Sequence, residues 1–305
     1  MSSLRDSIRM RLTAVLILIG IGVPSPSVGQ EASDVSILIS SMLFYNVSTD
    51  DGLKTIDSII GSLFRTIAPG TGVFRSTEEL RTLSDEGMAD VAVMHPLEFL
   101  QIEGRTSLVP AFTASNNGQL EYGLVLLVAA DSEFETVGSL KNRKVVIEAL
   151  KRGSVPDLWM LSLCEEAAVN GVPVTVDRRI VSRGIQAVLA VYFGQAEACV
   201  VDKEGYRQLI EENPQVGYDL RAISEVGGMC RAVICVQPEH PAIDQINEVI
   251  LTLHDTPQGS ILLNMFSVDQ LLPLEQEQLT AVRRLSVFSD RARKSSKPGR
   301  SVANE

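Results

Sequence analysis

The run Gly153-Ser154-Val155 stands directly ahead of Pro156, and a helical pattern follows it. A hydroxyl and two backbone amides at a helix start can grip an oxyanion, because first-turn N–H groups lack intrahelical acceptors and the helix dipole favours negative charge. The same Ser154 can instead be a plain N-cap. Lys151 and Arg152 stand just before it. His95 follows the strand-like run DVAVM, where its imidazole can donate to an anion or sit solvated in a loop. Arg183, in a Ser182-Arg183-Gly184 turn, can pair bidentately with carboxylate or phosphate, or lie on the surface. Asp202 follows ACVV and can accept from a ligand hydroxyl or amine, which suits a protonated oxyanion or a cationic group; its other role is to cap a helix from Tyr206 onward. These groups favour reversible recognition over bond-making.

Motifs for bond-making are missing. The sequence has no G-x-S-x-G elbow, no phosphate-binding loop of the G-x-x-x-x-G-K-[ST] type and no G-x-G-x-x-G. His95, His240 and His254 lack the short spacing of a zinc site, so no metal or cofactor is expected. Cys164, Cys199, Cys230 and Cys235 form no C-x-x-C pair. In an oxidising compartment they could form up to two disulfides, with three connectivities left open. The expectation is a protein that is not an enzyme.

The elements that must position these groups alternate short β-rich runs with helical patterns, which predicts an α/β architecture with mostly parallel sheets. Strands are expected over residues 35–39, 90–94, 108–112, 122–129, 144–148, 179–181, 198–201 and 232–236. Apolar spacing at Leu53, Ile56, Ile60, Leu63, Phe64 and Ile67 predicts a helix. Further helices are expected over 77–83, 156–169, 185–193, 242–254 and 257–266, the second of these stopped by Gly171. The last has Thr256 or Asp255 as cap and Pro257 at its first position. Residues 131–143 are expected to form a loop and a short helix. A second α/β series follows, so the chain can build two lobes with a ligand cleft between them.

Arg5, Arg9 and Arg11 precede an apolar run over residues 12–23, too short to span a bilayer. Ser27, Val28 and Gly29 place small residues ahead of a cut before Gln30, so residues 1–29 read as a cleaved signal peptide. No later segment is apolar enough for a membrane helix, and the product should be exported and not an integral membrane protein. The segment 289–305 is basic and without apolar periodicity, and reads as a disordered tail. Residues 30–288 hold 19 basic and 35 acidic residues, a net of −16 within a whole-chain charge of −11. Such a body excludes nucleic acid as a partner, since neutralising phosphates takes clustered Lys and Arg.

Several segments in order resemble a known family. These are 90–100 (DVAVMHPLEFL), 122–148 with its Ala130-Asp131-Ser132 turn and Ser139-Leu140-Lys141 helix, 187–201 (AVLAVYFGQAEACVV) and 251–262 (LTLHDTPQGSIL). They are similar to segments of the periplasmic phosphate-, phosphite- and phosphonate-binding proteins of ABC transporters. That resemblance implies a two-lobed type II periplasmic-binding fold, with the cleft between lobes joined by two crossover strands. It places one lobe at 30–124 plus 223–288 and the other at 125–222. It also implies capture of a small, phosphate- or phosphonate-like oxyanion at a helix start, followed by closure. The ligand-binding set it suggests is Tyr45, His95, Gly153, Ser154, Val155, Arg183 and Asp202. Tyr45 matches a place where the family presents a ring to its ligand, with core packing as its other role. Gly153 to Val155 fall at the family's hydroxyl-rich turn, here thinned to one Ser, and Arg183 falls where a Ser-His pair is usual. The partner implied is an ABC permease; the same fold would also serve a sensing module read by a membrane histidine kinase.

Overall fold

The computed structural model describes residues 35–40, 43, 50–64, 67, 72–74, 89–149 and 151–289. The expected signal peptide, the 77–83 helix, Tyr45 and the basic tail beyond residue 289 lie outside them. Along the chain run β1 (Ser36–Ile39), α1 (Asp50–Phe64), β2 (Gly72–Phe74), β3 (Val91–Met94), α2 (Pro96–Ile102), β4 (Val109–Ala114), β5 (Tyr122–Ala129) and β6 (Lys144–Glu148). Then come α3 (Val155–Glu166), β7 (Asp177–Val181), α4 (Gly184–Tyr192), β8 (Ala198–Asp202), α5 (Lys203–Glu212), α6 (Pro214–Asp219) and β9 (Leu220–Met229). The chain closes with β10 (Val233–Val236), α7 (Ile243–Leu251), α8 (Pro257–Met265), β11 (Leu271–Pro273) and α9 (Gln276–Ser286).

The strands form two sheets, ordered β11-β4-β10-β3-β1-β2 and β7-β6-β8-β5-β9. Both are mixed, not mostly parallel as the alternation of elements suggests. β1 pairs parallel with β2 and β3, and β6 with β7 and β8. β10 and β11 pair antiparallel in the first sheet, as do β5 with β8 and β9 in the second. The antiparallel strands flank the two passages between sheets, at residues 115–121 and 230–232. A strand that arrives from the other sheet needs no crossover helix on its own sheet, so nothing forces it parallel.

The inner strands β5, β6 and β8 of the second sheet are buried on both faces, which is why they read as continuous apolar runs. Alternate residues go to different cores. Leu124, Leu126 and Val128 of β5, Val145 and Ile147 of β6, and Ala198 and Val200 of β8 join one cluster. Val125, Leu127, Val146, Cys199 and Val201 join the other, under α4. The first cluster also takes Leu38, Met94 and Phe99 from the first sheet's side and Leu158, Trp159 and Met160 from α3, so one apolar core spans both sheets. α9 closes it with Leu279 and Val282, both 0% exposed. Each is worth about 1.5–3 kcal/mol on burial, against about 0–1 for the exposed Arg283–Glu103 ion pair that ties α9 to the end of α2. Apolar docking, not charge, holds this helix.

Local signals explain the helix ends. In α1, Ile56, Ile60 and Phe64 recur at four-residue spacing and are buried. At α8, Thr256 Oγ1 accepts the Gly259 N–H at 3.0 Å and Pro257 fills the first position. An ideal Cβ on Gly259 would stand 1.8 Å from the Leu253 carbonyl oxygen, so the glycine of the HDTPQG turn is a steric requirement. Residues 131–143 carry a 3-10 turn at Val137–Leu140, as the loop and short helix predicted.

Candidate functional site

The turns after β3, β6 and β8 and the passage at 230–232 meet around one cavity of about 400 Å³. Its polar lining includes His95, Glu148, Ser154, Ser182, Asp202 and Arg231. A cleft outside the carboxyl ends of strands, where loops rather than strand backbone face the space, is a common ligand position in open α/β sheets. An apolar portion of the same cavity is lined by Ile37 and Ile39 of β1 and by Ile60 and Phe64 of α1 among others.

β6 hands the chain to α3 through the turn that holds Ser154. Asp157, in the first turn of α3, accepts the Gly153 N–H at 2.8 Å and pairs with Arg178 Nη1 at 2.5 Å, with side chains 0% and 7% exposed. This buried pair pins the turn. It also commits the Gly153 amide to Asp157, and Gly153 does not line the cavity. Ser154 and Val155 do line it. Ser154 sits at the N-cap position but makes no side-chain cap hydrogen bond, and its buried Oγ has no partner among the described residues. A buried hydroxyl left unpaired costs about 1–3 kcal/mol. Because Pro156 carries no N–H, Val155 supplies the one backbone amide of the first two helical positions.

β3 ends at His95, which caps α2. Its Nδ1 accepts the Leu97 N–H at 3.2 Å, while the His95 backbone N–H donates to Glu98 Oε2 at 3.1 Å. Burial, reinforced by the nearby Lys151 charge, lowers its pKa from 6.5 to about 4. The imidazole is therefore neutral at pH 7, and with Nδ1 accepting, its proton is on Nε2. His95 is thus a neutral donor on the cavity wall.

β8 ends at Asp202, which has two partners. Its Oδ1 accepts the Glu204 N–H at 3.0 Å and caps α5, which starts earlier than the sequence suggests, at Lys203. Its Oδ2 meets Arg231 Nη1 at 3.3 Å, with side chains 23% and 15% exposed. Glu148, at the end of β6, accepts the Asp202 N–H at 3.0 Å and bonds the Gly184 backbone at the start of α4. Burial raises the Glu148 pKa above its ordinary value, and the neighbouring Asp202 charge adds to this while the backbone hydrogen bonds oppose it.

Arg231 is the residue that sequence reading misses. Its guanidinium lies 5.3 Å from the Tyr122 ring, and its Nε and Nη2 are buried without a hydrogen-bond partner among the described residues. The only signal in the sequence is one basic residue between Cys230 and the AVICV run, and it becomes legible once residues 230–232 are known to pass between sheets. Arg183, by contrast, is exposed at the N-cap of α4 and does not line the cavity; its neighbour Ser182 does. Tyr45 lies outside the described residues.

All four cysteines are buried and unbonded. Burial pushes the Cys164 thiol up to about 11 and the Cys230 thiol up to about 12. Among the described residues no three His, Cys, Asp or Glu side chains cluster as a metal site, and no helix is long and apolar enough to cross a membrane.

Two mixed sheets linked by two passages, with a cavity at the strand ends, define a two-lobed periplasmic-binding fold of type II. Solved structures agree. A protein from Xanthomonas citri, XAC2383, bound to ATP aligns with a TM-score of 0.60 at 15% identity, over 87% of this chain and 100% of its own. PhnD1 from Prochlorococcus marinus in complex with methylphosphonate aligns at 0.53 and 13% identity, over 85% and 99%. A binding protein component of an ABC phosphonate transporter from Pseudomonas aeruginosa aligns at 0.50 and 13%, over 88% and 90%. The profile of the family described as ABC transporter, phosphonate, periplasmic substrate-binding protein matches residues 71–279, and the chain belongs to that family. It is a family of transport binding proteins. No curated protein sequence matches the chain.

Proposed function

We propose that this protein captures a small oxyanion of the phosphate or phosphonate type between its two lobes and delivers it to an ABC importer. The observation that carries the reading is Ser154: a buried hydroxyl at a helix start, uncommitted to capping, on the wall of the inter-sheet cavity. Ser154 Oγ, the Val155 amide and His95 Nε2 supply neutral donors of the kind that hold an anion without a full counter-charge. The negative body slows encounter with an anion but leaves this local field intact. In this reading residues 1–29 are removed on export. The lobes divide at the passages 115–121 and 230–232, since boundaries at 124/125 and 222/223 would cut β5 and β9, which pair with each other in the second sheet, and the lobes close on the ligand about those passages. Residues 289–305 form a basic tail outside both. Methylphosphonate, the ligand of the Prochlorococcus neighbour, is the natural first probe.

The test is calorimetry and thermal melting of the mature chain with methylphosphonate, phosphate and phosphite. Binding to the native state alone must raise the melting temperature, by an amount that grows with ligand concentration. Ser154→Ala should weaken binding about tenfold, the loss expected for one hydrogen bond to a charged group, and leave the fold at least as stable. Absence of any shift across the panel overturns the reading.

A further inference from the structure

We propose that the ligand carries a second anionic group, and that Arg231 reads it through the Nε–Nη2 edge of its guanidinium. This rests on the anion-capture reading above and names the ligand class more narrowly. The argument begins with how Arg231 is held. Nη1, on one side of the fork, is taken by Asp202 Oδ2 at 3.3 Å, and the Tyr122 ring lies 5.3 Å from the guanidinium carbon. These contacts fix the plane of the group and leave the opposite edge, Nε and Nη2, with two parallel N–H donors.

That edge matches the two oxygens of a carboxylate or phosphoryl group in a side-on bidentate pair. Both nitrogens are buried and have no acceptor among the described residues, while the residue lines the cavity that Ser154, Val155 and His95 also line. A guanidinium placed only to neutralise Asp202 would not need its other edge closed off from water. Arg231 is presented by the 230–232 passage between the sheets and Ser154 by the start of α3, two different elements of one cavity wall, so a ligand with an anionic group at each would satisfy both. Asp202 and Glu148 beside it set the alternative: a cationic second group would be drawn to the carboxylates instead.

Calorimetry on the mature chain with three probes separates these cases. The probes are methylphosphonate, with one anionic group, 3-phosphonopropionate, with an added carboxylate, and 2-aminoethylphosphonate, with an added ammonium. The wild-type protein should bind 3-phosphonopropionate at least about tenfold more tightly than methylphosphonate, the gain expected for a charge-assisted bidentate contact. In Arg231→Gln that ratio should fall to near one, and in Arg231→Lys, which keeps the charge and loses the fork, to an intermediate value. Equal binding of the two acids by the wild-type protein overturns the inference and leaves anion capture standing. So does tightest binding of 2-aminoethylphosphonate. If none of the three binds while phosphate or phosphite does, the inference falls and anion capture stands; if phosphate and phosphite fail as well, both readings fall. The wild-type comparison stands whether or not the variants fold.

Discussion

A Cβ placed on Gly184 would stand 2.7 Å from Glu148 Oε2, so the carboxylate at the end of β6 occupies the space that any other residue at the start of α4 would need. The contact does structural work. Glu148 bonds the Gly184 backbone and accepts the Asp202 N–H, and it thereby links the ends of β6 and β8 to the first turn of α4. A carboxylate at a helix start is also favoured by the dipole. Gly184→Ala should therefore cost about 1–3 kcal/mol, the usual range for forcing a side chain into filled space. In a Glu148→Ala background the same substitution should cost close to nothing, because the atom it strikes is gone. Urea denaturation of the four proteins in this cycle measures the coupling; an equal cost in both backgrounds would place the strain elsewhere.

The same carboxylate and His95 make opposing contributions to stability as pH changes. Glu148 has its folded pKa raised above 4.5, chiefly by burial, so the folded state holds the proton longer than the unfolded chain. Its contribution falls as pH rises from 4.5 through the raised value. His95 has its folded pKa lowered from 6.5 to about 4, so the unfolded chain takes up the proton first as pH falls. Its contribution is complete above 6.5 and is lost as pH drops from 6.5 towards 4. Glu148→Gln should therefore gain on the wild type with rising pH. His95→Asn, which keeps an N-cap acceptor, should gain with falling pH below 6.5. Denaturation midpoints between pH 4 and 8 decide both, and parallel curves for all three proteins would refute them.

How much of this was legible in the sequence depends on burial. β5 and β6 were readable to the residue, because both faces of these inner strands are covered and leave unbroken apolar runs. β9 was not: it is an edge strand whose residues are mostly half-exposed or exposed, and LRAISEVGGM carries no periodic signal. α9 was missed although Leu279, Val282 and Leu285 recur at the three-residue spacing of a helix face, so its signal was present in the sequence. At the site, Ser154, Val155, His95 and Asp202 do line the cavity, since each follows directly from the end of a readable strand or opens a readable helix. Arg231 depends on a passage between sheets, a long-range relation that local pattern does not encode. The surface position of Arg183 was equally hidden, as a turn residue's side-chain direction is set by the helix that follows.

The Asp157–Arg178 pair allows stability and positioning to be told apart. Asp157 neutralises a buried guanidinium and, through its other oxygen, holds the Gly153 N–H and with it the turn that presents Ser154. Asp157→Ala leaves Arg178 buried without that partner and should cost about 3–5 kcal/mol, while also weakening methylphosphonate binding. Adding Arg178→Met removes the stranded charge, and apolar replacement of a buried pair is often neutral or better, so most of the stability should return. The affinity should not return with it, because the Gly153 N–H still lacks its acceptor and the Ser154 turn is no longer pinned. Urea denaturation and calorimetry on the single and double variants measure the two quantities separately. If affinity recovered in step with stability, the pair would serve the fold alone, and Ser154 would owe its position to the packing of α3 instead.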